Sequence, residues 1–254
     1  MINKSIAVFY ICRRKDKNWH KFAESFVISY KKFKSGINHQ LYIIFKGFNS
    51  NTSLNRANKI FINLKYKSIE QNDEGFDIGS YYQAALLAGE VYICPLNSYS
   101  KILCNNWLKN LYLNICQINV GLVGATGSYE KNDHFYFLKF PNPHIRTNAF
   151  LINRQIFVKF TSQFSFLKKN DVLKYESGRN SLTNFIRKDG KKALVIGRNG
   201  RAYDINTWSL SRTFKSSNQE NLLVSDNQTD FYFKSPWPIK NFLSLRSWGK
   251  FLVS

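Results

Sequence analysis

The chain is poor in acid. Its 254 residues carry 16 Asp and Glu against 37 Lys and Arg, a formal net charge of +21. Glycoside hydrolysis usually needs two opposed carboxylates, and no such pairing stands out among these few acids. Cysteine is scarce too: Cys12, Cys94, Cys104 and Cys116 are scattered without CxxC spacing, which argues against a zinc site or a disulfide framework. Cys12 and Cys94 lie in apolar runs, where a free thiol packs as a small hydrophobe. No run of about eighteen apolar residues occurs, so no transmembrane helix is expected. The N-terminal run from Met1 leads straight into a strand-like segment without a secretory cleavage site, so a cytoplasmic protein is expected. Also missing are the GxSxG elbow of a serine hydrolase, the P-loop GxxxxGK[ST], and a GxGxxG after the first strand. We find no internal repeat and no low-complexity linker.

What is present suits a folded α/β chain. Hydrophobic residues make up 44% and aromatics 16%, enough for a sizeable core and too much for disorder. The basic excess has two readings. The residues are spread along the chain, as compositional bias and solvated surface would leave them. They would equally attract phosphates or an anionic membrane face. Nucleic acid is the less expected partner. The Tyr and Phe content suits base stacking, but the aromatics fall at core periodicities and no RRM, KH or helix-turn-helix signature appears.

Strands are expected over residues 6–12, 41–45, 59–64 and 91–96, with helices over 18–33, 78–87 and 103–115. This rhythm predicts a doubly wound, mainly parallel sheet flanked by helices. A strand entering a glycine-rich turn follows at 121–127, a strand at 148–152, helices at 155–160 and 181–188, and a strand at 193–196. Residues 198–254 read as an irregular, aromatic, basic extension packed on the domain formed by residues 1–197.

The most informative stretch is residues 72–100, NDEGFDIGSYYQAALLAGEVYICPLNSYS. A glycine-rich turn leads into a helix, a buried strand, and a polar loop at that strand's C-terminal end, where open α/β sheets bind ligands. Gly75 and Gly79 would allow close backbone approach and the helix start near Ile78 would favour an anion; ordinary turn chemistry explains the same glycines. Asp73, Asp77, Gly79, Asn97, Ser98 and Tyr99 are the substrate-contact candidates here, with Asp77, Gly79, Asn97 and Tyr99 expected in one cleft. Residues 141–148 add His144, Arg146 and Asn148. The arginine could clamp a phosphate or carboxylate, or the segment is a structured loop with a capping Asn. Gly127 and Ser128, in GATGS, could cradle a phosphate with backbone amides or form a tight turn. Asp226 and Asn227 could line an acceptor site or cap a turn. His20 and His39 read as structural or exposed.

Residues 72–100 resemble a segment of the family 2 glycosyltransferases, enzymes of the GT-A fold, in which an Asn-x-Gly turn and a helix precede a strand ending Leu-Asn-Pro-Asp. Leu96 and Asn97 match; Ser98-Tyr99-Ser100 then replace the aspartate of the DxD-type metal element. Trp107-Leu108 match the Trp-Leu that follows in the family. The run from Asn148 to Phe157 is similar to the family's strand and helix behind the acceptor site, ending in Arg-x-x-Phe. Glu176-Ser177-Gly178-Arg179-Asn180-Ser181-Leu182, followed by Gly190 and the strand at 193–196, resembles the Glu-Asp element that supplies the base, in a looser register. Lys46-Gly47-Phe48-Asn49 lacks the aspartate with which the family reads the nucleotide base.

The resemblance implies transfer of a sugar, with inversion, from a nucleotide-activated donor to a glycan or lipid-linked acceptor in surface polysaccharide synthesis. It implies Glu176 as general base; Asp226 is the next carboxylate available. Without the DxD aspartate no cofactor and little or no divalent-metal dependence is expected, and Arg146, Arg179 or Arg212 could supply positive charge instead. The same missing aspartate keeps open a degenerate member that binds glycan or nucleotide without turnover. Lys240, Arg246 and Lys250, interleaved with Phe242, Leu243, Leu245, Trp248, Phe251 and Leu252, suit a peripheral anchor on an anionic membrane; a tail packed on the domain is the other reading.

Overall fold

Uninterrupted apolar strands can be buried on both faces only when helices cover both sides of the sheet. The computed structural model describes residues 5–131 and 139–250, and its first strand, β1 (Ile6–Arg13), is such a strand: only Arg13 escapes burial. Next come α1 (Trp19–Lys32), β2 (Gln40–Lys46), α2 (Asn51–Phe61), β3 (Lys67–Gln71), α3 (Phe76–Leu87) and β4 (Tyr92–Leu96). A middle section holds β5 (Lys101–Ile102), α4 (Trp107–Ile115), β6 (Val120–Gly124), β7 (Gly127–Ser128), β8 (His144–Ile145) and β9 (Phe150–Asn153). The chain continues through α5 (Arg154–Thr161), α6 (Lys169–Ser177), α7 (Leu182–Lys188), β10 (Lys192–Ile196), β11 (Ala202–Tyr203), β12 (Val224–Ser225), α8 (Asn227–Lys234) and α9 (Trp237–Trp248).

The main sheet has eight strands in the order β11-β10-β6-β9-β4-β1-β2-β3. β1 pairs in parallel with β2 and β4, β2 with β3, and β10 with β6. Only β9, between β4 and β6, and β11, at the edge, run antiparallel. The expected mainly parallel α/β sheet is therefore present. Alternate residues of β1 enter opposite cores. Val8 and Tyr10 join Phe26, Phe61 and Trp107 under α1, α2 and α4. Phe9 and Ile11 join Tyr81, Phe157 and Tyr175 under α3, α5 and α6. Among the described residues no helix is long and apolar enough to cross a membrane.

Three expectations need correction. Residues 59–64 are not a strand: they hold the end of α2, and the third strand is β3. The run Ile60-Phe61-Ile62 is too short for periodicity to separate strand from helix. The Ser50 hydroxyl accepts from Ser53 N at 3.3 Å and starts the helix, with Ala57 and Phe61 facing the core. β3 was hidden because only Ile69 of its five residues is buried.

Second, the segment after residue 198 is irregular only in part, over residues 204–223. β11 extends the main sheet, β12 pairs with β5, Trp208 is fully buried, and two helices follow. Their signals were readable: Asp226 caps α8 in the usual N-cap manner, while Pro238 sits in the first turn of α9 and Gly249 ends it at φ 70°, the Pro-before, Gly-after asymmetry of helices.

Third, Gly127 is no phosphate cradle. It pairs with Ile145 in the short β7–β8 ladder, and Ala125 N donates to Ala149 O at 2.8 Å. A Cβ on Gly127 would fall 2.8 Å from Val195 Cγ2 and 2.9 Å from Trp208 Cε3, so packing demands the glycine. Gly127→Ala should cost about 1–3 kcal/mol of stability, the usual range for overpacking, measured by urea unfolding. Unchanged stability with weakened anion binding would restore the cradle.

Candidate functional site

Because β1, β2 and β4 are parallel neighbours, their C-terminal ends open on one edge of the sheet, and the polar residues that follow them collect there. Arg13 ends β1 and reaches Asp73 as a fork, Nε to Oδ1 at 2.6 Å and Nη2 to Oδ2 at 3.0 Å. Lys15 Nζ lies 3.1 Å from Asp73 Oδ2, and Arg13 Nη1 lies 3.5 Å from Asp16 Oδ1. Burial works to raise the Asp73 pKa, but hydrogen bonds from Arg13 and Lys15 outweigh it and hold the carboxyl below its usual range. Asp16 is buried, and its second oxygen accepts from Ser98 Oγ; Tyr10 donates its hydroxyl to Ser98 O at 2.9 Å.

Lys46 ends β2 and is fully buried. Its ammonium donates to Glu74 O at 2.7 Å, to Phe76 O and to Ser80 Oγ at 2.8 Å. All three protons are used, which is what a buried ammonium requires. Burial pulls its pKa down to about 8, against the pull of Asp77 and Asp73. Asp77, in the first turn of α3, is pushed upward by burial, and Lys46 opposes this. Tyr99 is raised by burial and then by Asp16 and Asp77. Asp16, Asp77 and Tyr99 therefore share one electrostatic neighbourhood. An open cleft of about 660 Å³ lies beside it, lined by Arg14, Lys15, Lys17, Trp19 and His20 from the β1–α1 loop and start of α1, and by Gly47 and Ser50.

Asn97 and Asn148 are spent on the loop itself. Asn97 Oδ1 accepts from Tyr99 N at 3.1 Å, and Asn148 Oδ1 accepts from Asn97 N at 3.1 Å and Ser100 Oγ at 2.8 Å. These bonds tie the β4–β5 loop to residues 146–148, which open a second pocket of about 280 Å³ containing Ser128, His144, Arg146, Glu176 and Lys215. Glu176 Oε1 accepts from Thr147 N at 2.8 Å and Thr147 Oγ1 at 3.3 Å; Oε2 makes no hydrogen bond among the described residues. His144 Nδ1 lies 2.8 Å from Asn142 O. A carbonyl only accepts, so Nδ1 carries the proton and Nε2 is the free lone pair. Burial lowers the His144 pKa, opposed by Glu176.

Arg146 and Lys215 both sit over the Phe214 ring, 4.4 and 4.8 Å from its centroid. Arg146 pairs with Asp226 at 2.9 Å, while Glu130 pairs with Lys215 at 3.5 Å and Arg246 at 2.7 Å. Ser128 Oγ accepts from Glu130 N at 3.0 Å. A third cavity, about 420 Å³, lies between Tyr99, Phe22 and Lys101 on one side and Asn227 and Phe231 of α8 on the other.

Several expected site residues lie elsewhere or do other work. Gly79 does not join Asp77 in one cleft. Two residues along a helix turn the chain by about 200°, and Gly79 faces Phe166 in a separate groove. Arg212 is exposed, pairs with Glu220 at 2.9 Å, and lies in another groove beside Arg198. Arg179 is exposed on the turn after α6. Asp226 cannot serve as a base: it is buried, Oδ1 accepts from Gln228 N at 3.1 Å and Thr229 N at 2.9 Å, and Oδ2 from Arg146. It caps α8 and positions Arg146. Sequence reading missed Arg13, Asp16, Lys46, Glu130 and Lys215. Two of these carried a signal: Asp16 sits in the charge run Arg13-Arg14-Lys15-Asp16-Lys17 directly after a buried strand, and Lys46 ends an apolar one.

No protein-family model and no curated protein sequence matches the chain. Solved structures do. A mannosyltransferase of Pyrobaculum calidifontis, determined with GDP-mannose and Mn²⁺, superposes at TM-score 0.52 and 9% identity, covering 75% of this chain and 54% of that one. The fold is similar to that of a GT-A mannosyltransferase. The 4-diphosphocytidyl-2C-methyl-D-erythritol synthase of Anaerococcus prevotii gives TM-score 0.51 and 11% identity over 76% of this chain and 89% of its own. This GT-A-like chain thus spans about half of the mannosyltransferase and most of the synthase.

Lys46 yields a pH signature. Its folded pKa of about 8 lies below the usual 10.5, so the folded state is penalised while both states hold the proton, below about pH 8. The penalty is relieved as pH rises from about 8 towards 10.5. The unfolding free energy of the wild type minus that of Lys46→Met should be flat below pH 8 and rise above it. A flat difference to pH 10 in urea titrations would show that the amine is not desolvated.

Proposed function

We propose that the protein transfers a glycosyl group, with inversion, from a nucleotide-activated donor to a hydroxyl of a glycan or lipid-linked acceptor, on the cytoplasmic side in surface polysaccharide synthesis. The observation that carries this reading is Glu176. It is a half-buried carboxylate with one oxygen pinned by Thr147 and the other uncommitted, in a pocket joined by the Asn97–Asn148 bonds to the strand-end cleft. The fold's likeness to a mannosyltransferase supports it.

The donor diphosphate lies in the strand-end cleft, where Arg14, Lys15 and Lys17 provide positive charge as the diphosphate leaves; such preorganised charge lowers the barrier. The acceptor hydroxyl sits over Glu176. Its oxygen forms the new bond to the anomeric carbon from the face opposite the leaving group, the carbon–oxygen bond to the diphosphate breaks, and Glu176 Oε2 takes the proton. Arg146 and His144 line the acceptor pocket and orient the incoming group.

A tightly held divalent ion does not fit the donor set. Asn97, Ser98 and Ser100 offer amide and hydroxyl oxygens, weak ligands for Mg²⁺ or Mn²⁺ without carboxylates beside them. Of the nearby carboxylates, Asp16 is already committed to Ser98 and Arg13, and Asp77 lies under the charge of Lys46; among the described residues no three His, Cys, Asp or Glu side chains gather to hold a metal ion.

Two measurements test this reading. Thermal-shift screening against nucleotide diphosphate sugars identifies the donor, since a ligand at a hundred times its Kd adds about 2.7 kcal/mol of stability. With that donor, Glu176→Gln should lower kcat by about 10²–10⁴-fold at unchanged donor Kd; a loss below tenfold removes Glu176 as base. Transfer should also persist in EDTA. Activity that vanishes there and returns with Mn²⁺ would refute metal independence.

A further inference from the structure

Helix α9 is amphipathic the wrong way round for a helix packed on a water-soluble core. Its inward face carries Ser244 and Ser247, both 0% exposed, with Trp248. Its outward face carries Phe242, 56% exposed, and Leu245 and Ile239, each 41%. Trp237 at the helix start is 65% exposed, and Phe233 at the end of α8 is 59% exposed. An amphipathic surface helix ordinarily turns its apolar stripe to the core. Here two serines are buried beside Trp248, while Phe242, Leu245 and Ile239 are exposed to water.

The charges on the same two helices select the occupant. Residues 227–250 contain four cations, Lys234, Lys240, Arg246 and Lys250, of which Arg246 also pairs with Glu130, and one acid, Asp230, which is already paired with Lys101. Lys240 Nζ sits 5.6 Å from the Phe233 ring, and the Arg246 guanidinium 5.8 Å from Phe242. Aromatic rings and basic heads on one helical face are what the headgroup zone of an anionic bilayer takes up. The rings enter the acyl boundary, and each Lys or Arg adds about 1 kcal/mol at the surface. A second copy of this chain is a poor occupant, because the net charge of +21 sets like against like. We propose that the outward face of α9, with Phe233 of α8, docks on an anionic lipid bilayer.

The geometry links this surface to the interior. The opposite side of α8 lines the cavity at Tyr99 through Asn227 and Phe231, and its cap, Asp226, holds Arg146. Phe251 and Leu252, counted in the sequence with this anchor, lie outside the described residues.

The test is co-sedimentation of the purified full chain with phosphatidylcholine vesicles, with and without phosphatidylglycerol. Binding should require phosphatidylglycerol and weaken as salt rises. The exposed double variant Phe242→Asn/Leu245→Asn, its fold checked by circular dichroism, should lower the partition coefficient at least tenfold. Lys240→Gln/Lys250→Gln should lower it severalfold and leave the apolar face intact, so the proposal stays testable if the first variant misfolds. Brominated acyl chains should quench wild-type tryptophan emission more than that of Trp237→Phe. Equal binding to neutral vesicles, wild-type binding by the Phe242/Leu245 variant, or retention on a soluble polyanion but not on vesicles would each overturn the proposal. So would dimerisation in analytical ultracentrifugation that the Phe242/Leu245 variant abolishes. None of these readouts involves glycosyl transfer, so their failure is separable from failure of the proposed activity.

Discussion

The parallel pairing of β1 with β2 on one side and β4 on the other is the constraint on which the rest of the molecule depends. A parallel neighbour cannot be reached by a tight turn; each strand must be followed by a crossover, here a helix. The crossovers cover both faces of the sheet, so β1 is buried from Ile6 to Cys12. They also place the exits of the parallel strands on one edge. Arg13, Lys46 and Ser98 are remote in sequence and belong to different elements, yet they meet there because strand direction leaves them no other place. The ion pairs and the buried ammonium of Lys46 follow from that meeting.

Scarcity of acid shapes the site. In a chain with so many cations, the carboxylates near the cleft are nearly all engaged: Asp73 by Arg13 and Lys15, Asp16 by Arg13 and Ser98, Glu130 by Lys215 and Arg246, Asp226 by Arg146. Each sets the position of a cation or loop. Glu176 differs in being held by neutral donors on one oxygen only, which leaves its second oxygen open to the pocket.

The strands and helices with strong, long patterns were legible. β1 announced itself as a continuous apolar run, and α1 through Trp19, Phe22, Phe26 and Tyr30 at helical spacing. β3 was not legible, because an edge strand with one buried residue has no pattern to read. In α8 and α9 the cap and terminator signals were readable, but most of the apolar residues face outward, so the usual periodicity argument pointed the wrong way. At the site, the loop after β4 and the segment 144–148 were found because they follow apolar strands or precede them. Glu130 and Lys215 were missed because their importance is purely spatial, whereas Asp16 carried a signal in the charge run after β1 that went unused. Glu130 and Lys215 come together only when the segment after β7 meets the turn after Trp208. The cradle read into GATGS failed for the opposite reason: a glycine that packing demands looks the same in sequence as one that a ligand demands.

The seam in the sheet has a consequence of its own. β9 runs against both neighbours and is the piece that joins the half built from β1 to β4 to the half built from β6 and β10. The four residues before it are Arg146, Thr147, Asn148 and Ala149. They hold Asp226, Glu176, the β4–β5 loop and the turn after β6. The suture that makes one sheet out of two thus also sets the spacing between the strand-end cleft and the Glu176 pocket. A slip of one residue in β9 would turn its side chains to the opposite faces and carry all four anchors out of register together, so the architecture and the site share a single point of failure.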